Sequence, residues 1–169
     1  MKNYYWLLLI ALIAHVFPVF ADDLKTNDWG QAFCNAQMSI KLKSANNLLR
    51  TNQPVIIAIN IKNTSSNETI SVYQSLAILN NSFVNFSFEV NSPSGENISG
   101  KPAELFNGGS GAIYQIAPGQ TKEFEYALSS LCRFDKIGTY KTIAKKRLWP
   151  DTNKQCQITS NPLEIVISQ

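Results

Sequence analysis

Three cysteines, Cys34, Cys132 and Cys156, are the side chains best suited to covalent chemistry, and the chain's single histidine, His15, is the residue that would have to activate one of them. A thiol or hydroxyl nucleophile needs a base beside it, and zinc sites lean on imidazole. His15 lies inside an N-terminal apolar run, away from every other reactive group. Glu123 and Glu125 stand two apart, the spacing of an acid/base pair on one strand face, but nothing around them reads as a cleft and they are taken as a charged strand edge. Residues 107–111 (NGGSG) are glycine-rich, yet no Lys-Ser/Thr follows and no helix pattern opens, so phosphate binding is not expected. Asp151, Thr152 and Asn153 begin a calcium-loop spacing without its later acidic ligands. No catalytic residue, metal site or cofactor is assigned.

Contact residues are easier to nominate. Lys141, Lys145 and Arg147 fall on the outward face of one alternating segment, with Lys146 and Lys154 close by. They form either a solvated strand face or a surface for an anionic partner. No aromatic residues interleave with them, so nucleic acid is not expected. Trp149 precedes Pro150 in the turn LWPDTN, where it anchors a protein or sugar contact or caps the open end of the core. Asn63, Asn67, Asn80, Asn85 and Asn97 begin glycosylation sequons, which matter only in a eukaryotic secretory pathway.

The elements that must position these residues begin after the leader. Lys2 is followed by an apolar run from Tyr4 to Phe20, and Val19, Phe20 and Ala21 supply a cleavage pattern. Residues 1–21 therefore read as a signal peptide cut after Ala21, residues 22–33 as an N-terminal arm and 34–169 as one domain. No stable membrane insertion is expected after cleavage, and the chain is placed as secreted or periplasmic. His15 leaves with the leader, and so does Lys2, lowering the formal net charge of +3 by one. Such a mild excess implies no acidic partner.

In the remainder the apolar period is two. Ala36, Met38, Ile40 and Leu42 share one face, as do Val55, Ile57, Ile59 and Ile61; Val84, Phe86, Phe88 and Val90; and Phe124, Tyr126 and Leu128. Asn, Gly, Pro and Ser clusters at 63–67, 91–95, 107–111 and 117–119 punctuate them. About seven strands follow, with residues 69–82 the weakest segment, and the pattern predicts an antiparallel two-sheet sandwich of immunoglobulin type. Gly138 and Tyr140 in DKIGTY fit its corner, where a tyrosine entering the sixth strand returns its hydroxyl to the preceding loop. Tyr140, Thr142 and Ala144 then face inward.

The segments PVIIAINIKNTSSN, VNFSFEVNSPSG, IAPGQTKEFEYAL, FDKIGTYKTIAKK and SNPLEIVIS together resemble bacterial secreted single-domain immunoglobulin-like proteins, and they are similar to the family of the Bacillus intracellular proteinase inhibitor. The resemblance implies the same sandwich and, as an alternative function, protease inhibition.

The sandwich also decides the disulfide. Cys132 lies in the loop before the sixth strand and Cys156 at the far end of that strand, roughly 25 Å away for about eight strand residues. A bridge spans Cα atoms no more than about 7 Å apart. Cys34 opens the first strand, at the same end as Cys156, so the expected pair is Cys34–Cys156 and Cys132 is a free thiol beneath the corner. The function read from all this is an exported, non-catalytic binding or accessory module with a protein partner, acting through sandwich loops or an edge strand. A third reading is an enzyme using the Cys132 thiol with Lys136 or Asp135.

Overall fold

The computed structural model describes residues 28–44, 48–75, 78–79, 82–83, 86–99, 111–148 and 156–169. The expected signal peptide (residues 1–21), residues 22–27 of the expected arm, Val84, Trp149, Pro150, the 151–153 segment, Lys154, residues 107–110 and the sequons at Asn80 and Asn85 lie outside the described residues.

The fold is all-β. Twelve strand segments are described: β1 (Ala36–Leu42), β2 (Leu48–Arg50), β3 (Ile56–Asn63), β4 (Ile70–Ser75), β5 (Ile78–Leu79), β6 (Ser82–Phe83), β7 (Phe86–Asn91), β8 (Gly111–Ile116), β9 (Thr121–Ala127), β10 (Gly138–Leu148), β11 (Cys156–Thr159) and β12 (Leu163–Ser168). One layer is the antiparallel sheet β1-β3-β9. The other centres on β10, which pairs with β7 along one edge and with β11 and β12 along the other, while β2 adds parallel to β12. β4 and β8 form a separate two-stranded ribbon, as do β5 and β6.

Alternation explains the layers. Val55, Ile57, Ile59 and Ile61 are all fully buried, and Phe124, Tyr126, Phe86 and Phe88 meet them from β9 and β7. The Phe86 ring lies 5.1 Å from Tyr126 and 6.3 Å from Phe124, so aromatic contacts cross from one layer to the other. Burying such side chains contributes roughly 1.5–3 kcal/mol each.

The expectation of about seven strands undercounts the segments, because it omits β2 and β8, the stretch 69–83 holds three short segments and the last strand is broken. Lys145 faces Thr159 and Thr142 faces Leu163, so two residues of β10 oppose three, 160–162. The extra residue makes a bulge, the place in a ladder where Pro162 costs no hydrogen bond. The bulge also joins the layers. Asn161 Oδ1 accepts from the Ile40 N–H (2.8 Å), and its Nδ2 donates to the Ile40 carbonyl (3.3 Å).

The N-terminal arm is docked at its inner end. The Gly30 N–H donates to the Met38 carbonyl (2.8 Å), and a Cβ at Gly30 would stand 1.9 Å from the Thr159 carbonyl oxygen, so only glycine fits there. Cys34 and Asn35 both take left-handed backbone (φ 49° and 59°), closing a turn between Phe33 and Ala36. Cys34 is bridged to Cys156 across 6.0 Å of Cα separation. Such a bond fits an oxidising, extracytoplasmic setting. Among the described residues no helix is long and apolar enough to cross a membrane.

Candidate functional site

The chain from β9 to β10 turns a corner at the end of the sandwich opposite the disulfide. After Ala127 it makes a short 3-10 turn (Leu128–Ser130), drops Leu131, Cys132 and Phe134 into the core, and enters β10 at Gly138. The Lys136 N–H donates to Tyr140 Oη (2.9 Å), and the Phe134 ring packs 4.9 Å from Tyr140. Gly138 has φ 130°, and a Cβ there would stand 2.8 Å from Pro93 of the neighbouring turn. The tyrosine pins the loop, and the glycine lets two loops approach.

That pinning shapes a groove of about 490 Å³ between the corner and the turn joining β2 to β3. Its lining residues include Asn52, Gln53, Ser129, Arg133 and Asp135, over an apolar base of Cys132 and Phe134. Gln53 Oε1 accepts from the Arg50 N–H (2.8 Å), and Asn52 holds left-handed backbone (φ 67°), so this turn is a fixed wall. Arg133 and Asp135 are exposed and make no ion pair among the described residues.

Cys132 beneath the groove is built as a core residue. It is 1% exposed, its S–H points at the Leu128 carbonyl (3.7 Å), and burial pushes its thiol up to about 12. A thiol in that state is protonated at neutral pH and a poor nucleophile.

The basic face differs from its expected form. Lys141 pairs with Glu164 (3.4 Å) and Lys145 with Glu89, so register supplies each with a carboxylate on the adjacent strand. Arg147 is exposed and unpaired among the described residues. Lys146 does not belong to this face at all. Inward positions on β10 continue from Tyr140 through Thr142 and Ala144 to Lys146, which is 1% exposed inside the sandwich. Thr142 Oγ1 is likewise buried, with no partner among the described residues.

Glu123 and Glu125 are both engaged in ion pairs. They bridge Lys41 (3.2 Å) and Lys43 (3.0 Å) across the middle strand, roofing Ala58, and their partners face solvent. The Lys41 ammonium, first of its causes, holds the Glu123 carboxyl below its ordinary value. The outer edge of the first strand is covered from Ala36 to Ile40 by Phe33, Gly30, Ser160 and Asn161. Within the described residues β9 pairs with β3 alone. Asn63 is fully buried, with Nδ2 donating to the Glu68 and Ile116 carbonyls (2.7 and 2.8 Å), which removes it as a glycosylation acceptor.

No protein-family model and no curated protein matches the chain. Among solved structures, the C-terminal domain of Wzt is similar at 12% identity and TM-score 0.47, over 83% of this chain and 77% of that one. A β-glucosidase from Listeria innocua in complex with glucose is similar at 10% identity and TM-score 0.35, and the match spans only 16% of that enzyme. Likeness at this level carries no reading of function.

Sequence reasoning missed two residues that matter, Lys146 and Asn161. Lys146 was legible from parity alone, six residues after Tyr140. Asn161 stood in the sequence only as part of the segment SNPLEIVIS, with no role read from it.

Proposed function

We propose that the chain is an exported, non-catalytic binding or accessory module for a protein partner, with the corner-end groove as its contact surface. One observation carries the reading: a groove with the amides of Asn52 and Gln53 and two charged groups, Arg133 and Asp135, that make no ion pair among the described residues at its rim, held open by a tyrosine-pinned corner. The outer sheet faces are less suited, because Lys41, Lys43, Lys141 and Lys145 are each neutralised by a glutamate there. The non-catalytic part rests on chemistry: residues 22–169 contain no histidine, and Cys132 is buried and neutral.

The experiment is cross-linking in the native envelope with Arg133→Glu plus Gln53→Ala, against Lys41→Glu on the ion-paired face as control. Loss of the cross-linked partner in the first alone is expected. Equal capture by both, with circular dichroism unchanged, refutes the groove. β9 offers a second route, since a partner's extended segment could add along its edge. Slowed amide exchange along β9 when the partner is added tests that route.

A further inference from the structure

Lys146 is the one lysine, arginine, aspartate or glutamate that is buried among the described residues, and neither the corner nor the groove uses it. On β10 it stands opposite Phe86 of β7 and Ile158 of β11. Its Nζ lies 4.4 Å from the centre of the Phe86 ring and donates to the Tyr73 carbonyl (2.7 Å). An ammonium offers three donors, and this site supplies one carbonyl and one ring face.

No opposite charge relieves it among the described residues. From β7 comes Phe86, while Glu89 lies on the outer face with Lys145. From β11 comes Ile158, and from β9 Phe124 and Tyr126, which reach the Phe86 ring. The Tyr126 hydroxyl is pushed above the usual phenol range by burial and stays neutral. From β8 comes Tyr114, which sits under Lys122, and β4 contributes the Tyr73 carbonyl. On β10 itself, Lys145 and Arg147 fall on the opposite face.

The group that Lys146 holds belongs to a ribbon that stands outside both main sheets. Among the described residues β4 and β8 form a backbone ladder with each other and with no other strand, and the main sheets reach them through the side chains of Lys146 and Asn63. Val72 and Ile116 seat the ribbon in the core, and Asn63 holds the Ile116 carbonyl. Its outer face shows Tyr73 and Ile113 to solvent. Lifting the ribbon breaks the Lys146–Tyr73 hydrogen bond and opens a route by which the amine reaches water.

We propose that Lys146 is a proton-operated latch, whose neutral amine holds the β4–β8 ribbon on the sandwich and whose protonation releases it. This stands apart from the groove reading and survives its failure. Burial pulls the amine down from its ordinary 10.5 to about 7. A released side chain regains the ordinary value, so the open form binds the proton first. The closed form is therefore fully favoured above about pH 10.5, loses ground as pH falls toward 7, and loses little more below 7.

Native-state hydrogen exchange on the full chain and on Lys146→Met, at matched pH, cancels intrinsic exchange rates. From pH 9 to 6.5, exchange of the β4 and β8 amides in the wild type, divided by that in the variant, should rise about fifty- to hundredfold for a closed-state value of about 7. A flat ratio overturns the latch. So does equal acceleration of the β3 and β12 amides, which would mean global loosening. If Lys146→Met does not fold, nuclear magnetic resonance titration of the Lys146 side chain in the wild type decides. A midpoint near 7 together with ribbon-specific exchange supports the latch, and a midpoint above 10 refutes it.

Discussion

Replacing both Cys34 and Cys156 with alanine should cost the domain about 3–4 kcal/mol, a large part of a typical total near 5–15 kcal/mol. The two residues are 122 apart in sequence. Freeing a loop of that length returns about 5 kcal/mol of entropy to the denatured chain. Against this, Cys34 and Asn35 both hold left-handed backbone beside the bridge. That conformation costs of order 1 kcal/mol or more for a non-glycine residue, less for Asn, and cutting the bridge lets the turn relax. The assay is urea denaturation followed by circular dichroism. The midpoint should fall, and the slope should rise because the uncrosslinked chain exposes more surface when unfolded. A loss below about 1 kcal/mol with an unchanged slope would refute the reasoning, since the far ends of the fold would then be held together by packing alone.

Two further substitutions probe the corner. Tyr140→Phe keeps the ring against Phe134 and removes only the acceptor of the Lys136 N–H, so urea midpoints should report a loss of about 1–1.5 kcal/mol. Gly138→Ala places a methyl 2.8 Å from Pro93 at φ 130° and should cost about 2–3 kcal/mol, with a stability near wild type arguing that the two loops are not in contact.

Much of this architecture is local information. Alternation placed Val55, Ile57, Ile59 and Ile61 in the core without any knowledge of the partner sheet, because period two is a property of the strand itself. The corner was legible for the same reason: Gly138 and Tyr140 act within a few residues of the loop they hold. Lys146 was obscured by a conflict between two rules. Parity sent it inward, charge sent it outward, and the general rarity of buried lysines favoured the wrong side. The ion pairs of Lys141 and Lys145 depend on register between strands far apart in sequence, which no single segment encodes. Asn161 is the extreme case, since its partner Ile40 lies 121 residues away.

The two ends of the sandwich have been given different work by these same devices. At the disulfide end, the bridge, the Phe33–Ala36 turn and the Asn63 network consume the backbone and side-chain polar groups that loops usually leave open. Along the sides, carboxylates meet lysines, and the outer edge of β1 is covered by Gly30, Ser160 and Asn161. At the corner end the pattern stops: Arg50, Arg133 and Lys136 have no ion pair among the described residues, although Tyr140 fixes the backbone on which two of them ride. Fixed backbone beneath unspent charge is the arrangement that lowers the entropic cost of capturing a partner. Arg147 near the disulfide end is also unpaired among the described residues, but it stands on a strand face whose Lys141 and Lys145 are neutralised, whereas the corner gathers three such cations around one groove. The asymmetry is why the groove, and not the charged strand faces, is the surface to mutate first.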